Sequence, residues 1–367
     1  MNPSRFILTV LVASLVSTAL AACGDDDGNA ATTDDGAAGT GTDTDPDMGT
    51  DMGSDPDTDT DPDTDTDPDT DTDAGSDAEY AYSACAVDER VGGFTVGLVQ
   101  SASPEPYTAL QGRVDDGLVP TNIPETLMTV GECSLLQGRN LFCDPECPVG
   151  QVCGEGGQCL PEPQAVDMGT VSIDGLSAGP VVAESRAPRF NYTNSGSLGY
   201  PGFDEGVAIT LEASGGLGPA LSLRAEGVAP LVLVDEEVPL VSGQATTVTW
   251  EPPAEAGRSR VLANLNISLH GGDPVRIECN AADDGSLEIA EALITELLTF
   301  DYSGFPAITL IRQTADATDG PDGCVDFRVR ASIERHPVQV EGLASCNDLQ
   351  PNCPDGQSCN YDLMLCE

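Results

Sequence analysis

Residues 80–367 form a succession of short apolar runs broken by Gly, Pro and Asp. The runs fall at 94–99, 127–136, 207–211, 231–234, 246–250, 261–269, 307–311 and 324–333. Several alternate. From Val261 through Ala263, Leu265 and Ile267 to Leu269, every second residue is apolar, the period of a half-buried strand. Frequent turns and few helical stretches predict an all-β chain of antiparallel β-sandwich-like domains. The stretch 286–300 departs from this pattern. Leu287, Ala290, Ile294, Leu297 and Leu298 stand near helical spacing, which predicts one short helix, capped by Ser286 after the Asp284-Gly285 turn.

The N-terminus is patterned for export. Arg5 precedes an uncharged apolar run at 6–20, too short for a comfortable bilayer span and followed by acid, which reads as a secretory signal. Leu20-Ala21-Ala22-Cys23 resembles the bacterial lipobox, with small residues where a peptidase grips and a thiol that takes up lipid. Residues 1–22 are therefore expected to be removed, leaving Cys23 as the lipidated first residue. Each buried acyl methylene contributes ~0.8 kcal/mol, so two or three chains anchor stably.

Composition changes the picture next. Formal net charge is −48, and all 14 basic residues are Arg. With no Lys, Schiff-base chemistry and a P-loop lysine are excluded. The charge argues against nucleic acid and against docking on anionic lipid. Residues 24–79 carry 20 Asp, one Glu and no Arg, including DTDTDP at 57–62 and 63–68 and DTDTDA at 69–74. Nothing in that stretch offsets ordering entropy, so 23–79 is expected to be a disordered tether extended by charge and proline. Calcium is the rival reading of Asp-x-Asp-x-Asp. However, Pro62 and Pro68 stand where an EF-hand needs Gly, and no Glu closes the loop. Subtracting Arg5 and the tail leaves −28 for residues 80–367, from 13 Arg and 41 acids.

Twelve cysteines follow Cys23, an even number in an exported chain, which favours full oxidation. Cys143, Cys147, Cys153 and Cys159 form one group; Cys346, Cys353, Cys359 and Cys366 form another. Cys147-Pro-Val-Gly-Gln-Val-Cys153 echoes Cys353-Pro-Asp-Gly-Gln-Ser-Cys359, an internal repeat of a small module that disulfides must order. Spacing suggests Cys143–Cys153 with Cys147–Cys159, and Cys346–Cys359 with Cys353–Cys366. Zinc is disfavoured by the five-residue central gap and the absence of a nearby His. Cys85 with Cys133, and Cys279 with Cys324, are expected to staple strands within each β-domain. The organisation expected is a small β domain at 80–142, a module at 143–165, a β-sandwich at 166–342 and a module at 343–367.

Motifs of catalysis are scarce. His270 and His336 lack ligand companions at i+2 or i+4. Gly196-Ser197-Leu198-Gly199 lacks nucleophile-elbow spacing, and Gly215-Gly216-Leu217-Gly218 reads as a turn. Acidic pairs such as Asp283-Asp284 and the run Asp235-Glu236-Glu237 are weak signals in so acidic a chain. Asp319-Gly320-Pro321-Asp322-Gly323 is explained by turn chemistry. Phe190-Asn191-Tyr192 and Tyr200-Pro201-Gly202-Phe203 read as core edges beneath a loop sooner than as a ligand platform, and Trp250 reads as core. No catalytic residue, metal site or cofactor is implied.

Lipobox, Asp/Thr/Pro tether and repeated C-P-x-G-Q-x-C module together resemble the cysteine-rich surface lipoproteins predicted in myxobacteria. The resemblance covers the architecture and is specific at the lipobox and the modules; it lends no site residues. It fits a lipid-anchored extracytoplasmic protein with a binding, adhesive or structural role toward a protein or glycan. The alternative is a secreted hydrolase, such as a glycoside hydrolase, using acids of the second β domain. Gly24, in place of the Asp that retains lipoproteins on the inner membrane, and the acids Asp25-Asp26-Asp27 predict the outer membrane and its outer face. A periplasm-facing placement is the alternative.

Overall fold

The computed structural model describes residues 80–100, 105–267, 275–300, 306–346, 353–361 and 364–367. The signal segment, Cys23, the tether and His270 lie outside these residues. The fold is all-β. Residues before the first module give β1 (Arg90–Gln100), β2 (Tyr107–Val114), β3 (Glu125–Val130) and β4 (Cys133–Gln137). The module contributes β5 (Gln151–Cys153) and β6 (Cys159–Pro161). Next come β7 (Val171–Asp174), β8 (Val181–Ala183), β9 (Tyr192–Thr193), β10 (Ala208–Ala213), β11 (Leu221–Glu226), β12 (Val238–Leu240) and β13 (Thr246–Thr249). They are followed by β14 (Arg260–Asn266), β15 (Val275–Ala282), β16 (Ser286–Ile289), helix α1 (Glu291–Leu297), β17 (Ala307–Asp319) and β18 (Cys324–Val340). The last module closes with β19 (Cys359–Asn360) and β20 (Leu365–Cys366).

One ten-stranded sheet runs β3-β4-β15-β14-β17-β18-β1-β2-β9, with β12 also on β18. Most pairings are antiparallel, but β1 and β12 run parallel to β18. This order corrects the expected separation of 80–142 from 166–342. β1 and β2 join the sheet through β18, and β4 joins it through β15, so the first segment has no sheet of its own. The expected pairing of the flanking cysteines is corrected for the same reason. Cys133 stands opposite Cys279 across β4 and β15 and bonds to it, while Cys85 bonds to Cys324. Within the modules the bonds are Cys143–Cys153, Cys147–Cys159, Cys346–Cys359 and Cys353–Cys366, the pairs the spacing suggested. Six disulfides among the described residues mark an oxidising, extracytoplasmic compartment.

Alternation along the strands decides which face is covered. Phe94, Val96 and Leu98 of β1 lie beside Phe327, Val329 and Ala331 of β18 on the inner face. The four-stranded sheet β11-β10-β7-β8 supplies buried partners, including Ile173, Leu211 and Leu223. A second core gathers Val261, Ala263 and Leu265 of β14 with Ile277 of β15 and Leu293, Ile294 and Leu297 of α1. Arg312 and Thr314 are buried on the inner face of β17, yet belong to neither core.

Two local expectations are corrected. Ser286 caps no helix. It opens β16, where Leu287 and Ile289 alternate inward against β13, and α1 begins at Glu291 with Ala290 at its N-cap and no side-chain bond there. The residues 231–234 form only a bridge from Leu233 to Trp250 rather than a strand.

A strap at 80–87 crosses the outer face. Ser83 N–H donates to the Ala315 carbonyl at 2.9 Å, the Tyr80 hydroxyl donates to the same carbonyl at 2.8 Å, and Gln313 donates to the Tyr82 hydroxyl at 2.7 Å. Burial raises the Tyr80 hydroxyl pKa above the ordinary phenol range. The stabilisation carried by its neutral form is therefore complete below pH ~10 and is lost as pH rises through the raised folded value. Tyr80→Phe should flatten the loss of thermal stability above pH ~10; an unchanged alkaline slope would count against this assignment.

Candidate ligand groove on the outer sheet face

On its outer face β1 presents Gly93, Thr95 and Gly97, the positions between its inward apolar residues. Registered beside them are Asp326, Arg328 and Arg330 of β18 on one side, and Arg113, Gln111 and Ala109 of β2 on the other. A side chain at Gly93 would strike the Asp326 carboxylate, and Arg330 lies over Gly97. Asp326 is fully buried beneath Arg90, whose Nε donates to its oxygens at 3.0 and 3.1 Å, and beside Arg328, whose Nε donates at 2.8 Å. Across the groove Arg113 is held by Asp115, from its Nε at 2.9 Å and a terminal nitrogen at 2.6 Å.

The turn after β2 makes the wall. Asp116 clamps it to the chain leaving the first module: its N–H donates to the Gln164 carbonyl at 2.9 Å, and its carboxylate accepts from Gln164 N–H at 2.7 Å. That places Leu118, Val119, Asn122 and Ile123 over the sheet. With Val87 of the strap and Asn191 before β9, they line an open groove of about 510 Å³. Beyond the strap a second recess of about 450 Å³ lies on β14, β15 and β17, lined by Ser134, Leu262, Asn264 and Glu278.

Arg90, Arg113, Arg328 and Arg330 stand on three adjacent strands beside the carboxylates of Asp115 and Asp326, with Glu334 acting on Arg330, and of the four arginines Arg90 and Arg113 line the groove. Burial lowers the pKa of Arg330 first of all, and Arg328 and Arg90 push the same way while Glu334 opposes them. Each guanidinium presents a planar fork of donors suited to an oxyanion. Gln111, Asn122 and Asn191 are exposed and supply amide donors and acceptors together.

Of the residues singled out in the sequence, Asn191 and Tyr192 line the groove, and the others lie elsewhere or serve the scaffold. Asp283 accepts from Trp250 Nε1, Ser259 and Arg312 in a buried cluster, and Asp284 accepts from Ser286 N–H. Asp235 accepts from the Thr249 N–H and hydroxyl. His336 is in β18, outside the groove, with its pKa lowered chiefly by burial. Residues 319–323 form the β17–β18 turn, closed by Gly320 N–H donating to Gly323. Tyr192 and Phe203 are core, as expected, and Tyr192 meets Phe94 edge-on at 5.5 Å between centroids. Among the described residues, the close ligand groups Cys143–Cys147–Cys153 and Cys346–Cys353–Cys366 consist of disulfide-bonded cysteines, which offer no thiolate to a metal.

Beyond the less favoured reading of Phe190-Asn191-Tyr192 as a ligand platform, sequence reasoning missed the groove, because its residues come from separate stretches and match no motif. One signal was present: Gly93, Thr95 and Gly97 on the polar face of an alternating strand, small residues where a sheet face is left open. No protein-family model matches the chain, and no curated protein shows significant similarity to it.

Proposed function

We propose that the chain is a lipid-anchored binding protein, tethered through Cys23 and displayed on the outer face of the outer membrane. The observation that carries the binding reading is the outer-face groove. It is an open groove on a sheet pinned by two long-range disulfides, lined by guanidinium, amide and hydroxyl groups. Its charged residues are held in ion pairs, which suits recognition by preformed donors. Of the acids named for a hydrolase reading, Asp235, Asp283 and Asp284 are each engaged in scaffold hydrogen bonds.

The test has two arms. Labelled-palmitate incorporation should vanish with Cys23→Ala, and undiminished label would remove the anchor. In the second arm, full-length mature protein captures material from native cell envelopes. Gln111→Trp, which fills the groove from an exposed position, should abolish capture, and identical capture by the variant would remove the groove from the function.

A further inference from the structure

We propose that residues 80–84 are a releasable cover. They lift off β17 from the Tyr80 end, stop at the Cys85–Cys324 bridge, and lay bare a strand edge and the second recess while the sheet stays folded. The cover shows in what it buries. On the outer face Ile311 and Arg328 are half-buried, yet their neighbours Gln313 and Ala315 are 2% and 0% exposed. Gln313 donates to the Tyr82 hydroxyl at 2.7 Å. Ala315 lies past the end of β14, whose pairing with β17 stops at Gln313. Its N–H donates to the Tyr80 hydroxyl at 2.5 Å, and its carbonyl accepts from that hydroxyl at 2.8 Å and from Ser83 N–H at 2.9 Å. The strap stands in for the missing strand.

Ahead of Cys85 this substitute is weakly held. None of residues 80–87 is itself buried, and 80–84 carry no charge. Of the strap's bonds to β17 among the described residues, only that from Ser83 joins main chain to main chain. Segments with few buried contacts and exposed hydrogen bonds open locally, well below the free energy of global unfolding. At Cys85 the attachment changes. The bridge leads to Cys324, whose N–H donates to the Glu89 carbonyl at 2.8 Å, and from Arg90 onward the chain belongs to the ten-stranded sheet. Release is thus confined to the residues before the bridge. Tyr82 and Ala84 line the second recess together with Leu262 and Ile311, so lifting them widens it. The Ala315 N–H and carbonyl are freed at the same time, an unpaired edge of the kind that templates pairing with another extended chain.

Residue-resolved hydrogen exchange on the full-length mature protein, measured in increasing low concentrations of urea, tests the release. The Ser83 and Ala315 amides should exchange about a hundred-fold or more faster than the Phe327 amide in the middle of β18. Their rates should stay flat in urea, because so short an opening exposes little surface, while the Phe327 rate climbs steeply. The Cys324 amide, just past the bridge, should remain about ten-fold or more slower than Ser83. Cys85→Ala with Cys324→Ala removes the stop, so the amide at position 324 should then join the fast, urea-flat class. Exchange of Ser83 and Ala315 at the rate and urea slope of Phe327 would overturn the proposal, since the strap then opens only with the sheet. So would a Cys324 amide as fast as Ser83 in the parent, or an amide at that position left unchanged by the double replacement. Should the double variant not fold, the parent's own rates decide.

Discussion

Arg312→Leu is expected to destabilise the protein by about 3–5 kcal/mol, the cost of stranding a buried charge. Arg312 is 1% exposed and Asp283 2%. Their pairing is two-pronged, from Nε at 2.7 Å and a terminal nitrogen at 3.1 Å. Asp283 also receives Trp250 Nε1 at 2.8 Å and the Ser259 hydroxyl at 2.5 Å. The Glu251 carbonyl takes the same terminal nitrogen of Arg312 at 2.6 Å. Leucine satisfies none of these acceptors, and the buried carboxylate is left without its charged partner. Combining Arg312→Leu with Asp283→Asn should recover part of the loss, because the unpaired charge is then gone while Trp250 and Ser259 keep an acceptor. Urea unfolding at neutral pH measures both. A single-variant loss under about 1 kcal/mol would show that the charge left on Asp283 is readily solvated.

Replacing Cys85 and Cys324 together by Ala should cost about 4–5 kcal/mol. The two residues are 239 apart in sequence, but Cys133–Cys279 shortens the covalent path between them to roughly ninety residues, and the chain-entropy relation for a loop of that length gives this figure. The module bridges close separations of only 10 to 13 residues, so their entropic effect is smaller and confined to the modules. Denaturant midpoints of the double variant against the parent, both with module bridges intact by mass mapping, decide this. A change under about 1 kcal/mol would mean that the strap is already held by Tyr80, Tyr82 and Ser83 without the bridge.

Local regularities were legible in the chain, and long-range ones were not. The alternation at Val261, Ala263 and Leu265 specifies a strand with one buried face, and β14 follows it. The repeated C-P-x-G-Q-x-C spacing constrains each module because its loops are too short to reach other cysteines. Strand order is another matter. The parallel union of β1 with β18 joins residues more than 230 positions apart, and nothing within a strand records its neighbour. Hence Cys85 and Cys133, close in sequence, found different partners on different strands. The helix start was misread because Leu287 satisfies a period of two and a period of 3.6 alike, and pairing with Val248 of β13 settled it. The buried Arg312 was hidden by its place in an otherwise strand-like run. The groove stayed hidden because arginines on the solvent side of strands look like ordinary surface until β1, β2 and β18 are set side by side.

The strap also fixes where mechanical force goes. Tension on the chain ahead of Tyr80 first meets a handful of hydrogen bonds to β17, which can be stripped one at a time. After about five residues, or ~17 Å of slack at full extension, it meets Cys85 and passes through a covalent bond into Cys324. Cys324 opens β18, which is flanked by β17 and β1 in the interior of the ten-stranded sheet. The pull is thus delivered to a strand secured on both sides and not to an edge that could unzip. β18 and β1 are also the strands that carry Arg328, Thr95 and the glycines beside the groove. A load on the groove and a pull on the chain ahead of Tyr80 therefore meet on adjacent strands, β1 and β18, whose inner faces carry Phe94, Val96, Phe327 and Val329 of the first core.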